Sequence, residues 1–186
     1  MPTPSSNMPA TTPAPASWRF DSKHASLLPT VTGYIEACPD RYFVTLTTKR
    51  RLTQFEFSAA IGRMLHRVNR ELFGTGYTRH KALFLATFIV FEETFAEQLH
   101  AHCLVGVPDG SLAYKAHTKW TSVEALIKTT WCSMDHGGQM DGQDTQRIEG
   151  FEGVQSYVQK RLWNLASIDS VDLANTNIPT VPARAF

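Results

Sequence analysis

The residues best suited to chemistry in this chain are His100 and His102, set one residue apart in LHAHCLVGV (Leu99–Val107). Side chains alternate along a β-strand, so both imidazoles leave one face about 7 Å apart, a separation that suits two ligands of one divalent ion. Leu99, Ala101, Cys103 and Val105 then take the opposite face and are expected to meet the core. Two ordinary polar positions on a half-buried strand are the commoner use of such a pattern. Glu92 precedes His100 by eight residues, on the preceding apolar run. In a hairpin its carboxylate comes across from the histidines. Two imidazoles and one carboxylate with open positions accept a hard divalent ion such as Mg²⁺ or Mn²⁺. Glu93 is expected to point the other way. A solvated, glutamate-rich hairpin end (Glu92, Glu93, Glu97) is the plain alternative.

A second pair is Tyr157 and Lys160, in VQSYVQKRLW. Val154, Val158, Leu162 and Leu165 form an apolar helical stripe, with Tyr157, Lys160 and Asn164 on an adjacent flank. A phenol has a pKa near 10 and attacks poorly unless a cation stabilises its phenolate or the charge it creates; Lys160, one turn away, supplies one. The alternative is an amphipathic tyrosine at a core edge beside a snorkelling lysine.

Several elements must hold these groups. Arg41–Thr48 (RYFVTLTT) reads as a strand. Thr53 and Glu56 form a capping box for a helix with Phe57, Ile61, Met64, Leu65, Val68 and Leu72 on its apolar face, ended by Gly74 and Gly76. Lys81–Glu93 and Leu99–Val107 read as a strand hairpin, followed by a turn at Asp109-Gly110. Thr121 and Glu124 open a second helix carrying Leu126, Ile127, Thr130, Trp131 and Met134, and Gly137-Gly138 stop it. Asp144–Glu149 reads as a short strand and residues 152–166 as a last helix. The order β-α-β-β-α-β-α predicts an α+β domain, an antiparallel sheet packed on helices. Residues 1–17, rich in Pro, Thr, Ser and Ala, read as a disordered tail, residues 18–167 as the folded domain, and residues 168–186 as a flexible C-terminal tail.

The chain has 186 residues, 42% of them hydrophobic, enough to bury one core. No apolar run is long enough to span a membrane, and the N-terminus lacks a secretory pattern. Three widely spaced cysteines, Cys38, Cys103 and Cys132, give no disulfide framework and fit a reducing cytosol. A zinc site from Cys132, His136 and Cys103 is a further alternative, without a C-x-x-C to support it. His66, His80 and His117 read as surface or DNA-facing. Net charge is only +1, but from Arg41 to Lys81 nine basic residues meet two acidic ones, 9 − 2 = +7. That cluster can neutralise phosphates, and Lys49, Arg50, Arg51, Arg63 and Arg67 are its candidate phosphate contacts.

Taken in order, FVTLTT at Phe43–Thr48, the His100-Ala101-His102 pair with Glu92 upstream, and Tyr157-x-x-Lys160 resemble the three motifs of the Rep-class HUH endonucleases, the nickases that initiate rolling-circle replication. The resemblance covers about residues 40–166 and implies an RRM-like, five-stranded antiparallel sheet flanked by helices. It implies that Glu92, His100 and His102 hold Mg²⁺ or Mn²⁺, that Tyr157 attacks the scissile phosphate to leave a 5′-phosphotyrosyl link and a free 3′-OH, and that Lys160 stabilises charge beside it. The substrate would be single-stranded or hairpin origin DNA in a bacterial cytoplasm, with no membrane involved. A helicase from the host or the element would act separately, since the chain has no G-x-x-x-x-G-K-[ST] phosphate loop. The middle residue of the histidine pair is the small Ala101, and no second tyrosine lies near Tyr157, which disfavours two-tyrosine schemes. Single-tyrosine transposition or mobilisation uses the same chemistry; Tyr-x-x-Lys favours replication. A non-catalytic single-strand-binding module using Phe43, Tyr77 or Trp120 is the reading from a different class.

Overall fold

The computed structural model describes residues 27–74, 77, 79, 84–93, 98–108, 122–149 and 170–178. The elements run α1 (Leu27–Glu36), β1 (Asp40–Leu46), α2 (Gln54–Phe73), β2 (Ala86–Glu93), β3 (Leu99–Val107), α3 (Val123–Cys132), a 3-10 turn (Met140–Gly142) and β4 (Asp144–Arg147). The architecture is α+β, with an open antiparallel sheet of order β2-β3-β1-β4. Four strands stand among the described residues where about five were expected.

The sheet has two unlike faces because each strand alternates. Tyr42, Val44 and Leu46 of β1, Ile89 and Phe91 of β2, and Ala101, Cys103, Val105 and Val107 of β3 join one core with α2 and α3. The expected stripe of α2 (Phe57, Ile61, Met64, Leu65, Val68, Leu72) is buried there. Phe57 stacks on Trp131 of α3 and tilts against Phe91. The capping box is formed: the Thr53 hydroxyl accepts from Glu56 N, and Glu56 Oε2 accepts from Thr53 N at 2.9 Å. That bond, first of all, holds the Glu56 carboxyl below the usual range. Its contribution is therefore complete above the ordinary glutamate pKa and lost as pH falls through the lowered one.

Among the described residues, α1 covers one end of the other face. There α1 lays Ile35 and Cys38 over Phe43, Phe88, Ala86 and Leu104. A Cβ on Gly106 would stand 2.7 Å from Cys38 Sγ and 3.4 Å from Ile35 Cα, so the missing side chain is what lets α1 come down onto β3. No element was assigned to this stretch from the sequence. Pro29 reads as a breaker, yet it falls in the first helical turn, where its missing N–H has no intrahelical partner to lose.

Three boundaries differ from expectation. The strand expected from Lys81 begins at Ala86; just before it, Leu85 N donates to Asn69 Oδ1 of α2 at 2.8 Å instead of to a neighbouring strand. The cap of α3 is Ser122, whose hydroxyl accepts from Ala125 N, rather than Thr121, which lies outside the described residues. Residues 168–186 were expected to form a flexible tail, but 170–178 lie along the outer edge of β2. Bridges join Val90 to Val171 and Thr87 to Asn177, and Thr87 N donates to Asn177 O at 2.8 Å. Buried Asp172 accepts from Ser58 Oγ of α2 at 2.9 Å and from Asn175 Nδ2 at 2.7 Å. The segment is polar because its side chains satisfy one another and an exposed strand edge, so it lacks the apolar signature of a packed element. The expected tail at 1–17, the turn at Asp109-Gly110 and the helix at 152–166 lie outside the described residues.

After α3 the chain doubles back, and Gly137 bridges Thr48 beyond the end of β1. A Cβ on Gly137 would fall 1.8 Å from Trp131 O, a backbone atom with no freedom to move aside. Gly137→Ala is therefore expected to cost about 1–3 kcal/mol through overpacking. Gly33→Ala, on the exposed side of α1 with nothing within 4 Å, is expected to add about 0.5–1 kcal/mol. Urea unfolding of the two variants checks the opposite signs.

Candidate active site

The end of this face beyond α1 carries the histidines. Antiparallel register sets Glu92 opposite His100 and Val90 opposite His102 on β2 and β3, and Thr45 opposite His102 on β1. The closest approach is diagonal: Glu92 Oε2 lies 2.7 Å from His102 Nε2. Glu93 is exposed and, by alternation, belongs to the opposite face, as expected. Glu97 lies outside the described residues.

The two histidines are held very differently. His102 is 8% exposed. Its ring stacks on Phe43, with centroids 5.5 Å apart and planes 22° apart, and its Nδ1 lies 3.2 Å from Thr45 Oγ1. His100 is half-buried and has no hydrogen-bond partner among the described residues. Burial first, and His102 next, hold its imidazole below the usual range, with Glu92 pulling the other way. His100 therefore stands neutral at neutral pH, with a nitrogen lone pair to give.

This donor set fits a hard divalent ion in kind: one carboxylate and two imidazoles on a single strand pair, on the part of the face beyond α1. Among the described residues no three His, Cys, Asp or Glu side chains are drawn into a ready-made metal cluster. Glu92 and His102 close on each other, and His100 stands beside them. The zinc alternative is not assembled: Cys103 is buried on the α2 face, its thiol pushed up by burial, while Cys132 is half-buried at the end of α3.

The end of β1 beside the histidines is tightly pinned. Trp131 Nε1 donates to Thr47 O at 2.8 Å, Gln143 Nε2 to Thr47 Oγ1 at 2.6 Å, and Gln98 Nε2 to Thr48 O at 2.8 Å. Lys49, Arg50 and Arg51 follow directly and are exposed at this end of the sheet. Arg63 and Arg67 are exposed on α2. The sheet stands between them and the histidines, so they are not brought to this site. Tyr157 and Lys160 lie outside the described residues.

The sequence does not assign the roles of four further residues. The contacts of Thr45 and Phe43 with His102 are not legible in the sequence, because they depend on which strand lies beside β1. Asp144 stands opposite Thr45 on β4 and places a second carboxylate on the histidine face. Phe55, 83% exposed in the first turn of α2, stands just after Arg51; an apolar residue so exposed on an amphipathic helix was the signal available for it.

No family model matches the chain, and no curated protein matches it. Among solved structures it is similar to the crystal structure of the hypothetical protein ORF119 from Sulfolobus islandicus rod-shaped virus 1, at 15% identity and a TM-score of 0.42. The match covers 75% of this chain and 97% of that one.

The unequal settings of the two histidines have a measurable consequence in the metal-free protein. His102→Ala removes a stacked ring and leaves Glu92 and Thr45 without their partner, for an expected cost of about 1–3 kcal/mol. His100→Ala is expected to stay within about 0.5 kcal/mol of the parent. Equal losses in denaturant titration would contradict this asymmetry.

Proposed function

We propose that this chain is a metal-dependent nickase of single-stranded DNA, of the Rep-class HUH type, that carries the cut strand on Tyr157 and later rejoins it. One observation carries the reading: Glu92 and His102 meet, with His100 directly across from Glu92, on the part of the sheet face that α1 leaves uncovered. These are the three residues that the resemblance names as metal ligands.

Residues 150–169, which include Tyr157 and Lys160, lie outside the described residues. The chain leaves β4 after Ile148, whose N–H bonds Arg41 O at the α1 end of the sheet. It returns at Val171, bridged to Val90 on the opposite edge, beside His102. Tyr157 and Lys160 lie on the chain linking those two edges.

In the reaction, the Tyr157 oxygen forms a bond to phosphorus as the bond to the 3′ oxygen breaks. The 3′ oxygen leaves as a hydroxyl, taking up one proton, and the 5′ side stays esterified to tyrosine. That hydroxyl primes replication, and attack by a 3′-OH on the ester reverses the step and reseals the strand. Lys160 offsets charge next to the phenolate. A divalent ion held by Glu92, His100 and His102 would supply Lewis-acid polarisation of the phosphate. Lys49, Arg50 and Arg51 supply cations for the backbone at the same end of the sheet, and Phe55 a face for an unpaired base. Against a purely binding module, Phe43 is 2% exposed and offers no stacking surface, and Tyr77 is half-buried, tilted against His66.

The test uses a pool of single-stranded DNA, linear and hairpin-borne, with a randomised segment, incubated with Mn²⁺. The wild-type chain is expected to cut a subset of the pool, EDTA to abolish cutting, and Glu92→Gln to slow it on the order of 10²–10³-fold. Cutting by Glu92→Gln at the wild-type rate, or none by the wild type, would overturn the proposal.

A further inference from the structure

Thr45 is the β1 residue whose side chain lies within hydrogen-bond distance of a ring nitrogen of the histidine pair. It stands opposite His102 in the β1–β3 register, with its Oγ1 3.2 Å from His102 Nδ1. The other ring nitrogen faces Glu92 at 2.7 Å, and Phe43 covers one ring face. The imidazole is thus held at both nitrogens and over one side of its plane.

We propose that Thr45 is a positioning residue, one that fixes the His102 ring and allows its two nitrogens to exchange roles without any turn of the ring. The inference deepens the proposed function and rests on it for the nature of the ligand alone. A neutral imidazole has one N–H and one lone pair, whereas a hydroxyl both donates and accepts. When Nε2–H donates to Glu92, Nδ1 accepts from the Thr45 hydroxyl. When the Nε2 lone pair is given to a cation, the proton must sit on Nδ1, and Thr45 accepts it after rotation about Cβ–Oγ. A carboxylate at this position would favour only the second arrangement, and a methyl group neither. Phe43 keeps the ring plane unchanged in both.

Thr47 shows why this role falls to Thr45. It is next along β1 on the same face, toward His100. Its hydroxyl is already engaged at both ends, accepting from Gln143 Nε2 at 2.6 Å and donating to Gly142 O at 3.3 Å. His100 therefore gains no comparable hydroxyl from β1 and keeps its orientational freedom, while His102 is the fixed member of the pair.

The test compares T45V, which keeps the β-branched shape and removes the hydroxyl, with T45S, which restores it, both in the full chain. With ¹⁵N-labelled histidine and no metal present, the His102 Nδ1 resonance reports whether that nitrogen is hydrogen-bonded. It is expected to shift in T45V to the position of an unbonded ring nitrogen and to return in T45S. An unchanged resonance in T45V would overturn the proposal. Mn²⁺, added alone, is expected to bind T45V about 10- to 100-fold more weakly than the wild type, with T45S close to the wild type. Equal affinities in all three would overturn the exchange of roles. If the nitrogen resonance shifts but the wild-type chain takes up no Mn²⁺, the positioning role is upheld and the metal reading of the site falls.

Discussion

The register of β2 on β3 is the constraint on which the site depends. Side chains alternate with a period of two, so a slip of β2 by one residue would carry Phe91 to the histidine face and bury Glu92 against α2. Burial of the apolar set therefore fixes the polar set: the same pairing that packs Ile89 and Phe91 under α2 places Glu92 across from His100 and diagonal to His102. Nothing further is needed to bring a carboxylate and two imidazoles onto one face. What the fold adds is asymmetry. β1 gives His102 a hydroxyl and an aromatic face, and leaves His100 without either.

The second constraint is coverage. The small residues Ala86 and Gly106 form a seat for α1 at one end of the face, and the polar end lies beyond it. Trp131, Gln143 and Gln98 then fasten the last turn of chain after β1, so the basic loop Lys49–Arg51 leaves from a rigid point beside the histidines. Side chains held on paired strands, with an anchored loop beside them, resist small displacements best.

Much of this was legible in the sequence, because alternation and helical periodicity are properties of the residues themselves. The histidine face of β3, the outward turn of Glu93, the buried stripe of α2 and its Thr53–Glu56 box all follow from spacing alone. What was not legible depends on partners far away in the chain. Asn69 ends the reach of β2 by taking the N–H of Leu85, and Asp172, Asn175 and Ser58 convert a polar tail into an edge strap. The roles of Phe43 and Thr45 exist only once β1 lies beside β3. Likewise, Arg63 and Arg67 belong to the basic cluster in sequence but stand across the sheet from the histidines, because α2 must bury its other side.

The proposed chemistry depends on Tyr157, which lies outside the described residues. A hydrolytic nuclease would need no such residue, whereas a strand-transferring one must become esterified to its DNA. The most direct measurement is therefore mass spectrometry of proteolysed protein after incubation with Mn²⁺ and the single-stranded DNA pool. The account predicts a nucleotide adduct on the peptide containing Tyr157, absent with EDTA and absent from Tyr157→Phe. Cleaved DNA with no adduct, or wild-type cleavage by Tyr157→Phe, would contradict it.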